Sequence, residues 1–312
     1  MPYLLSNINQ RVNTDPRGFI EECDKIYRQR ISNAAEMIIG NLKNSPIVLL
    51  SGPSGSGKTT TAMKIEEELE RRGIRSHAIS MDNYFKTITP EDTPRTPDGN
   101  YDFESPLCMD MNLLNEHFAQ LSRGERIFVP KYQFSRHMRI VKPSQSLRLG
   151  KDEIAVFEGI HALNDEITNK NPHAFKLYIS ARSNVLDENE SVCFKGTWLR
   201  LVRRTVRDSL FRGANAASTL KMWANVRRGE KLYISPFKEK ANLMFDSSFA
   251  YEVSVMRNIA PDIFKTVPED TERYDELRSI IPAFERFEAI APEMLSPDAL
   301  LREFIGGGIY EY

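Results

Sequence analysis

The segment Gly52-Pro53-Ser54-Gly55-Ser56-Gly57-Lys58-Thr59 constrains this chain more than any other. It fits G-x-x-x-x-G-K-[ST], a strand-to-helix loop that cradles phosphates. Residues 47–50 before it (IVLL) form a short apolar run rich in β formers, as in a buried parallel strand. Residues 58–72 after it carry a helical pattern, with Ala62, Ile65 and Leu69 on one side and Gly73 as a stop. The glycines let the backbone curl so that successive N–H groups face one anion, and the helix N-terminus adds partial positive charge there. Gly52, Ser54, Gly55, Ser56, Gly57, Lys58, Thr59 and Thr60 are therefore the expected phosphate-binding residues. Lys58 reaches the β- and γ-phosphates, and the Thr59 hydroxyl is placed to ligate Mg²⁺. The implied ligand is a nucleoside triphosphate with Mg²⁺. A guanine-specific N-K-x-D run is missing: residues 169–172 read NKNP.

Along the rest of the chain, strands alternate with helices. Helix is expected over 16–43, 110–122, 198–212 and 215–228. Strands are expected over 76–80, 153–157, 175–180 and 249–256, the last closing the sheet. Residues 126–149 alternate like a hairpin. Residues 86–106, rich in Pro, Thr, Asp and Gly, read as a long loop, which in a compact domain usually serves function. The pattern predicts an α/β fold: a parallel sheet covered by helices on both faces, with a small antiparallel excursion. Residues 1–45 read as a helical extension, 46–258 as the central domain, and 259–312 as an extension packed on it.

Composition narrows the function. Among 312 residues, 42 Lys and Arg balance 43 Asp and Glu, giving a net charge of −1. That excludes a general electrostatic grip on nucleic acid or an anionic membrane. Three scattered cysteines, Cys23, Cys108 and Cys193, make no disulfide framework or zinc site. No apolar run of ~18 residues and no signal-peptide core is present. A soluble, cytoplasmic protein is expected.

Two carboxylates stand at strand ends. Asp82 follows strand 76–80, and Glu158, followed by Gly159, ends strand 153–157. Ligands of open parallel sheets gather beyond the carboxyl ends of the strands, where the phosphate loop also lies. One carboxylate can accept a proton from an attacking hydroxyl, and another can hold Mg²⁺. Asp82 taken alone also fits a helix cap or turn former. Arg200, Arg203, Arg204 and Arg207 fall on one helical face, opposite Val202 and Val206. They repel one another unless anions sit among them.

These residues resemble the uridine kinase and phosphoribulokinase family of P-loop kinases. The resemblance spans residues 46–258. It rests on the phosphate loop, SMDNYF, NYDFESP, YQFSRHMR, FEGIHAL and LVRRTVRDSLFRG, in the family's order. It implies a P-loop NTPase fold with a helical lid, ATP as donor, and transfer to the 5′-hydroxyl of uridine or cytidine. Asp82 then matches the catalytic base. Lys58 and Arg207 act on the transferring phosphoryl group, and Thr59, Glu158 and Asp82 form the Mg²⁺ site. Tyr101 and Asp102 match the ribose site, and Tyr132, Phe134 and His137 the pyrimidine site. Arg204 and Arg212 match lid arginines toward substrate and donor. LREFIGGG and MWANVRRGEKLYISPF are similar to a bacterial subgroup whose members often carry an N-terminal TGS and synthetase-like region. This chain resembles the kinase half of that subgroup standing alone. Homo-oligomers are common in the family.

Two departures stand out. Ala214 replaces an arginine usual after Arg212-Gly213, and Met222 falls where a lid glutamine is expected. Three functions therefore compete. They are a nucleoside kinase, a kinase for another small polyol or sugar, and a nucleotide-binding regulatory module without turnover. Asp82 argues against the last. Tyr132 and Phe134, spaced i, i+2, also fit an ordinary strand face.

Overall fold

The computed structural model describes residues 2–311. The chain opens with a short strand β1 (Tyr3–Leu4) and helices α1 (Leu5–Thr14) and α2 (Pro16–Asn41). The phosphate-loop unit follows: β2 (Ile47–Ser51), α3 (Lys58–Arg71) and β3 (Arg75–Ser80). Next come α4 (Met111–Ser122), the hairpin β4 (Ile127–Gln133) and β5 (Met138–Leu147), β6 (Glu153–Glu158), α5 (Asp165–Thr168) and β7 (Phe175–Ser180). Short strands β8 (Val185–Leu186) and β9 (Val192–Phe194) lead into α6 (Gly196–Phe211) and α7 (Ala216–Gly229). The chain then passes through β10 (Leu243–Asp246), α8 (Glu252–Met256), α9 (Ala260–Lys265), α10 (Tyr274–Glu285) and α11 (Arg302–Ile305).

The main sheet has five parallel strands in the order β10-β7-β2-β6-β3. β2 lies at its centre and is buried along its whole length. Its residues alternate between two apolar layers. Val48 and Leu50 join one layer with Ala62, Ile65 and Leu69 of α3, while Ile47 and Leu49 join the other with Leu114 and Phe118 of α4. A strand buried on both faces must be apolar throughout, which is why IVLL carries no polar alternation. The first layer also takes in Ile31 and Ile38 of α2, and Phe264, Ile280, Phe284, Leu301 and Phe304 from the C-terminal part of the chain.

One strand differs from expectation. Residues 249–256 do not form the last strand. That strand is β10, paired in parallel with β7, and Glu252–Met256 is helix α8. Tyr251, Val253, Val255 and Met256 are all 0–3% exposed, so burial on every side, not strand alternation, selected those apolar residues. The sheet edge is already filled by β10, and Asp246 turns the chain away by accepting from the Ser248 amide and hydroxyl. Among the described residues no helix is long and apolar enough to cross a membrane.

Candidate active site

Strand register brings the phosphate loop and the two carboxylates together. Leu50 pairs with Glu158, and Ser80 pairs with the same residue from the other side. The ends of β2, β6 and β3 therefore lie level. The loop after β2 enters α3 through Gly55 (φ 73°) and Gly57 (φ 76°), left-handed conformations that glycine adopts without strain. A Cβ on Gly55 would lie 2.7 Å from the Arg200 carbonyl oxygen. A Cβ on Gly159, just after Glu158, would lie 2.7 Å from the Met81 Cβ.

A cavity of about 170 Å³ opens over this loop. Residues 54–59, Asp82, Glu158, Arg207, Arg212 and Glu303 line it. Lys58 Nζ donates to the Pro53 carbonyl at 3.3 Å and stands 3.9 Å from Glu158 Oε1. Burial lowers the Lys58 ammonium, against the pull of Glu158, Glu303 and Asp82. Burial pushes the Glu158 carboxyl up to about 7, although Lys58 opposes the rise. Asp82 is reached by solvent through the cavity mouth, yet the protein crowds around it. Desolvation raises its carboxyl, while Lys58 and Arg212 pull it down. The turn that holds Asp82 is capped by Ser80, whose hydroxyl accepts from the Asp82 amide at 3.3 Å. The Asp82 carboxylate is not spent on that cap.

The arginines of α6 do find anions, and the anions belong to the protein. Arg200 pairs with Glu230 at 2.9 Å, and Arg203 pairs with Glu252 at full burial. Arg207 meets Asp208 at 3.0 Å and lies 3.8 Å from Glu303. Arg204 donates to the Ser54 hydroxyl at 2.9 Å and also lines a second cavity of about 710 Å³. It thus spans the phosphate loop and that larger space. Arg212 caps α6, with its side chain mostly exposed.

The larger cavity is walled by aromatic faces. Phe85, Tyr101, Phe103, Tyr132, Phe134 and His137 line it, with Glu104, Lys221, Met222, Asn225 and Arg228. Tyr132 stands one residue before the end of β4, buried, with the Phe134 ring 5.0 Å away and edge-on. Phe134 lies in a 3₁₀ turn beyond the strand and is 56% exposed, so the two rings are not one ordinary strand face. His137 has φ 49° and stacks on Phe103 at 5.5 Å. The Arg95 guanidinium covers the Tyr101 ring. Asp102 is 2% exposed. Its Oδ2 faces Arg228 Nη2 at 2.6 Å and accepts from the Tyr233 hydroxyl at 3.2 Å, while its buried Oδ1 has no hydrogen-bond partner among the described residues.

Thr60 departs from its expected place. Its amide and hydroxyl are bound to Glu303, and Glu303 is what faces the phosphate cavity. Glu104, two residues after Asp102 in NYDFESP, also lines the larger cavity, a position the sequence motif does not single out. Burial pushes its carboxyl up to about 7, against the pull of Arg204. Glu303 lies in the quoted LREFIGGG, but only the fold brings it to the phosphate loop.

The model for the phosphoribulokinase / uridine kinase family matches residues 47–254. The chain belongs to this family. Uridine kinase of Saccharomyces cerevisiae is 28% identical over 202 residues, 64% of this chain and 36% of that protein. Uridine kinase of Staphylococcus haemolyticus is 26% identical over 215 residues, 69% of this chain and 93% of that protein. Uridine kinase of Brevibacillus brevis is 30% identical over 205 residues, 64% of this chain and 84% of that protein. The chain spans about a third of the length of its yeast relative and most of the length of the two bacterial ones.

Proposed function

We propose that the chain is an ATP-dependent nucleoside kinase that phosphorylates the 5′-hydroxyl of uridine and cytidine. The observation that carries this reading is Arg204. It bonds to the phosphate loop at Ser54 and lines the aromatic cavity, so donor and acceptor spaces adjoin at one side chain. The central region 46–258 carries every residue given a catalytic or binding role, with 1–45 and 259–312 as extensions.

The loop amides, Lys58, Arg207 and Arg212 hold the donor phosphates and stabilise the charge that develops on the transferring group. Asp82 accepts the proton of the acceptor hydroxyl as the phosphoryl group arrives. The protein crowding around it raises its carboxyl, which makes it a stronger base than an unperturbed aspartate. Glu158, at the end of β6, and the Thr59 hydroxyl line the same cavity as Asp82 and offer hard oxygen donors suited to Mg²⁺. Bound there, Mg²⁺ would offset charge on the phosphate oxygens. Tyr101 lines the acceptor cavity, while Asp102, the residue matched to the ribose diol, is 2% exposed and outside that lining, so holding the diol requires its buried Oδ1 to be uncovered. Tyr132, Phe134 and His137 supply the faces and polar edge that a pyrimidine needs.

Met222 favours a second reading, a kinase of another small polyol. It lines the acceptor cavity in place of an amide that could read a base edge. An acceptor panel with ATP and Mg²⁺, read as ADP release, decides. Uridine and cytidine are expected to be turned over; turnover confined to a sugar or sugar phosphate would overturn the nucleoside assignment.

A further inference from the structure

Thr60 follows Lys58-Thr59, and the sequence assigns it to a donor phosphate. In the structure its donors are engaged by the protein. Glu303 Oε2, on α11, accepts from the Thr60 hydroxyl at 2.6 Å and from the Thr60 amide at 3.3 Å. Thr60 is fully buried and Glu303 is 6% exposed. The other carboxylate oxygen of Glu303 lies 3.8 Å from Arg207 Nη1.

The carboxylate is set in place by packing. Leu300, Leu301 and Phe304 are 0–1% exposed, and the Phe304 ring lies under the Arg203 guanidinium at 5.0 Å. Arg302 donates to the Leu295 and Pro292 carbonyls, tying down the turn that carries Glu303. Beyond it, residues 306–308 and Tyr310 border a cavity of about 280 Å³ that shares Arg207, Arg212 and Glu303 with the phosphate cavity. The C-terminal segment thus adjoins the phosphate site along two walls.

An ionised carboxylate only accepts hydrogen bonds, as a phosphate does. Two such acceptors cannot share one amide and one hydroxyl, and their charges repel strongly at low dielectric. We infer that Glu303 is a built-in competitor of the donor nucleotide, holding Thr60 and Arg207 against its phosphates and so limiting affinity for donor and product alike. This rests on the reading of the cavity as the nucleotide site. The competing role is purely structural: an acidic side chain near the first turn of α3 also stabilises that helix.

The two roles predict opposite binding. Titration calorimetry of Mg²⁺–ADP is measured on the full chain and on its Glu303→Gln and Glu303→Ala variants, with thermal melts as a fold control. Competition predicts that Glu303→Ala binds ADP about 10- to 100-fold more tightly, the scale of a charged hydrogen bond given back to the ligand. Glu303→Gln, which keeps the packing but loses the charge, should fall between and decides the matter if the alanine protein does not fold. Adding Thr60→Val should erase part of the gain. Unchanged or weaker ADP binding in both variants would overturn the inference and leave the nucleotide site standing. ADP binding by none of the proteins, wild type included, would overturn the nucleotide reading itself and the inference with it.

Discussion

Arg203 and Glu252 form a fully buried ion pair: Arg203 Nη2 donates to Glu252 Oε2 at 2.6 Å, and Nε donates to Oε1. Arg203 also reaches the Ser247 carbonyl at 2.9 Å, so it joins α6 to the chain after β10. An arginine in a row of lid arginines thus serves structure. Glu252→Gln leaves a buried guanidinium without its counter-charge. It should cost about 3–5 kcal/mol, read by urea unfolding, and Arg203→Met with Glu252→Met should recover much of it. Loss below 1 kcal/mol in Glu252→Gln would refute the structural role.

Lys58 is placed against Glu158 and the phosphate-loop backbone. Lys58→Ala should lower turnover by several orders of magnitude. A charge contact on the transferring phosphoryl group is worth ~3 kcal/mol or more. Steady-state ADP release checks it, and near-wild-type kcat would exclude the role.

Asp82→Asn keeps the shape and removes the proton acceptor. The expected outcome is a fall in kcat of about 10²–10⁴-fold, with ATP affinity changed much less because Lys58 and the loop amides remain. Equilibrium ATP binding measured beside kcat separates two roles. A collapse of Mg²⁺–ATP binding would make Asp82 chiefly a metal ligand, with Glu158 the next candidate base.

Asp102 has one oxygen engaged by Arg228 and Tyr233 and one left over. If that oxygen holds the ribose diol, 2′-deoxyuridine should show kcat/KM about 10- to 100-fold below uridine, the cost of an under-paired buried carboxylate. Equal kcat/KM for the two would remove Asp102 from the acceptor site.

Glu104 carries a pH dependence. Its folded carboxyl stands near 7, above the ordinary 4.5, because burial penalises the ion. Between those values the folded state holds the extra proton, so stability from this group falls as pH rises through the window. Glu104→Gln should therefore match wild type near pH 4.5 and exceed it by on the order of 2 kcal/mol at pH 8. Parallel melts at the two pH values test this, and a difference independent of pH would refute it.

Much of the fold was legible because local rules and burial agree in this chain. The run IVLL, the glycine loop and the helix after it each admit one local structure, and the apolar faces of Ala62, Ile65 and Leu69 point where their spacing says. The segment 249–256 misled because Tyr251, Val253 and Val255 are strand formers wrapped on all sides by a core assembled from distant residues.

By itself the sequence determined the phosphate loop, the carboxylates at the strand ends and the aromatic segments, since each depends on residues a few positions apart. Asp208 lies within α6, in local reach of Arg204 and Arg207, but the tertiary structure alone decided that Arg200 meets Glu230, that Arg203 meets Glu252 and that Arg207 nears Glu303. It also decided that Glu303, 243 residues from Thr60, engages the donors of the phosphate loop. Ion pairs need atoms within about 4 Å, and no local spacing reports which charges a fold will bring that close.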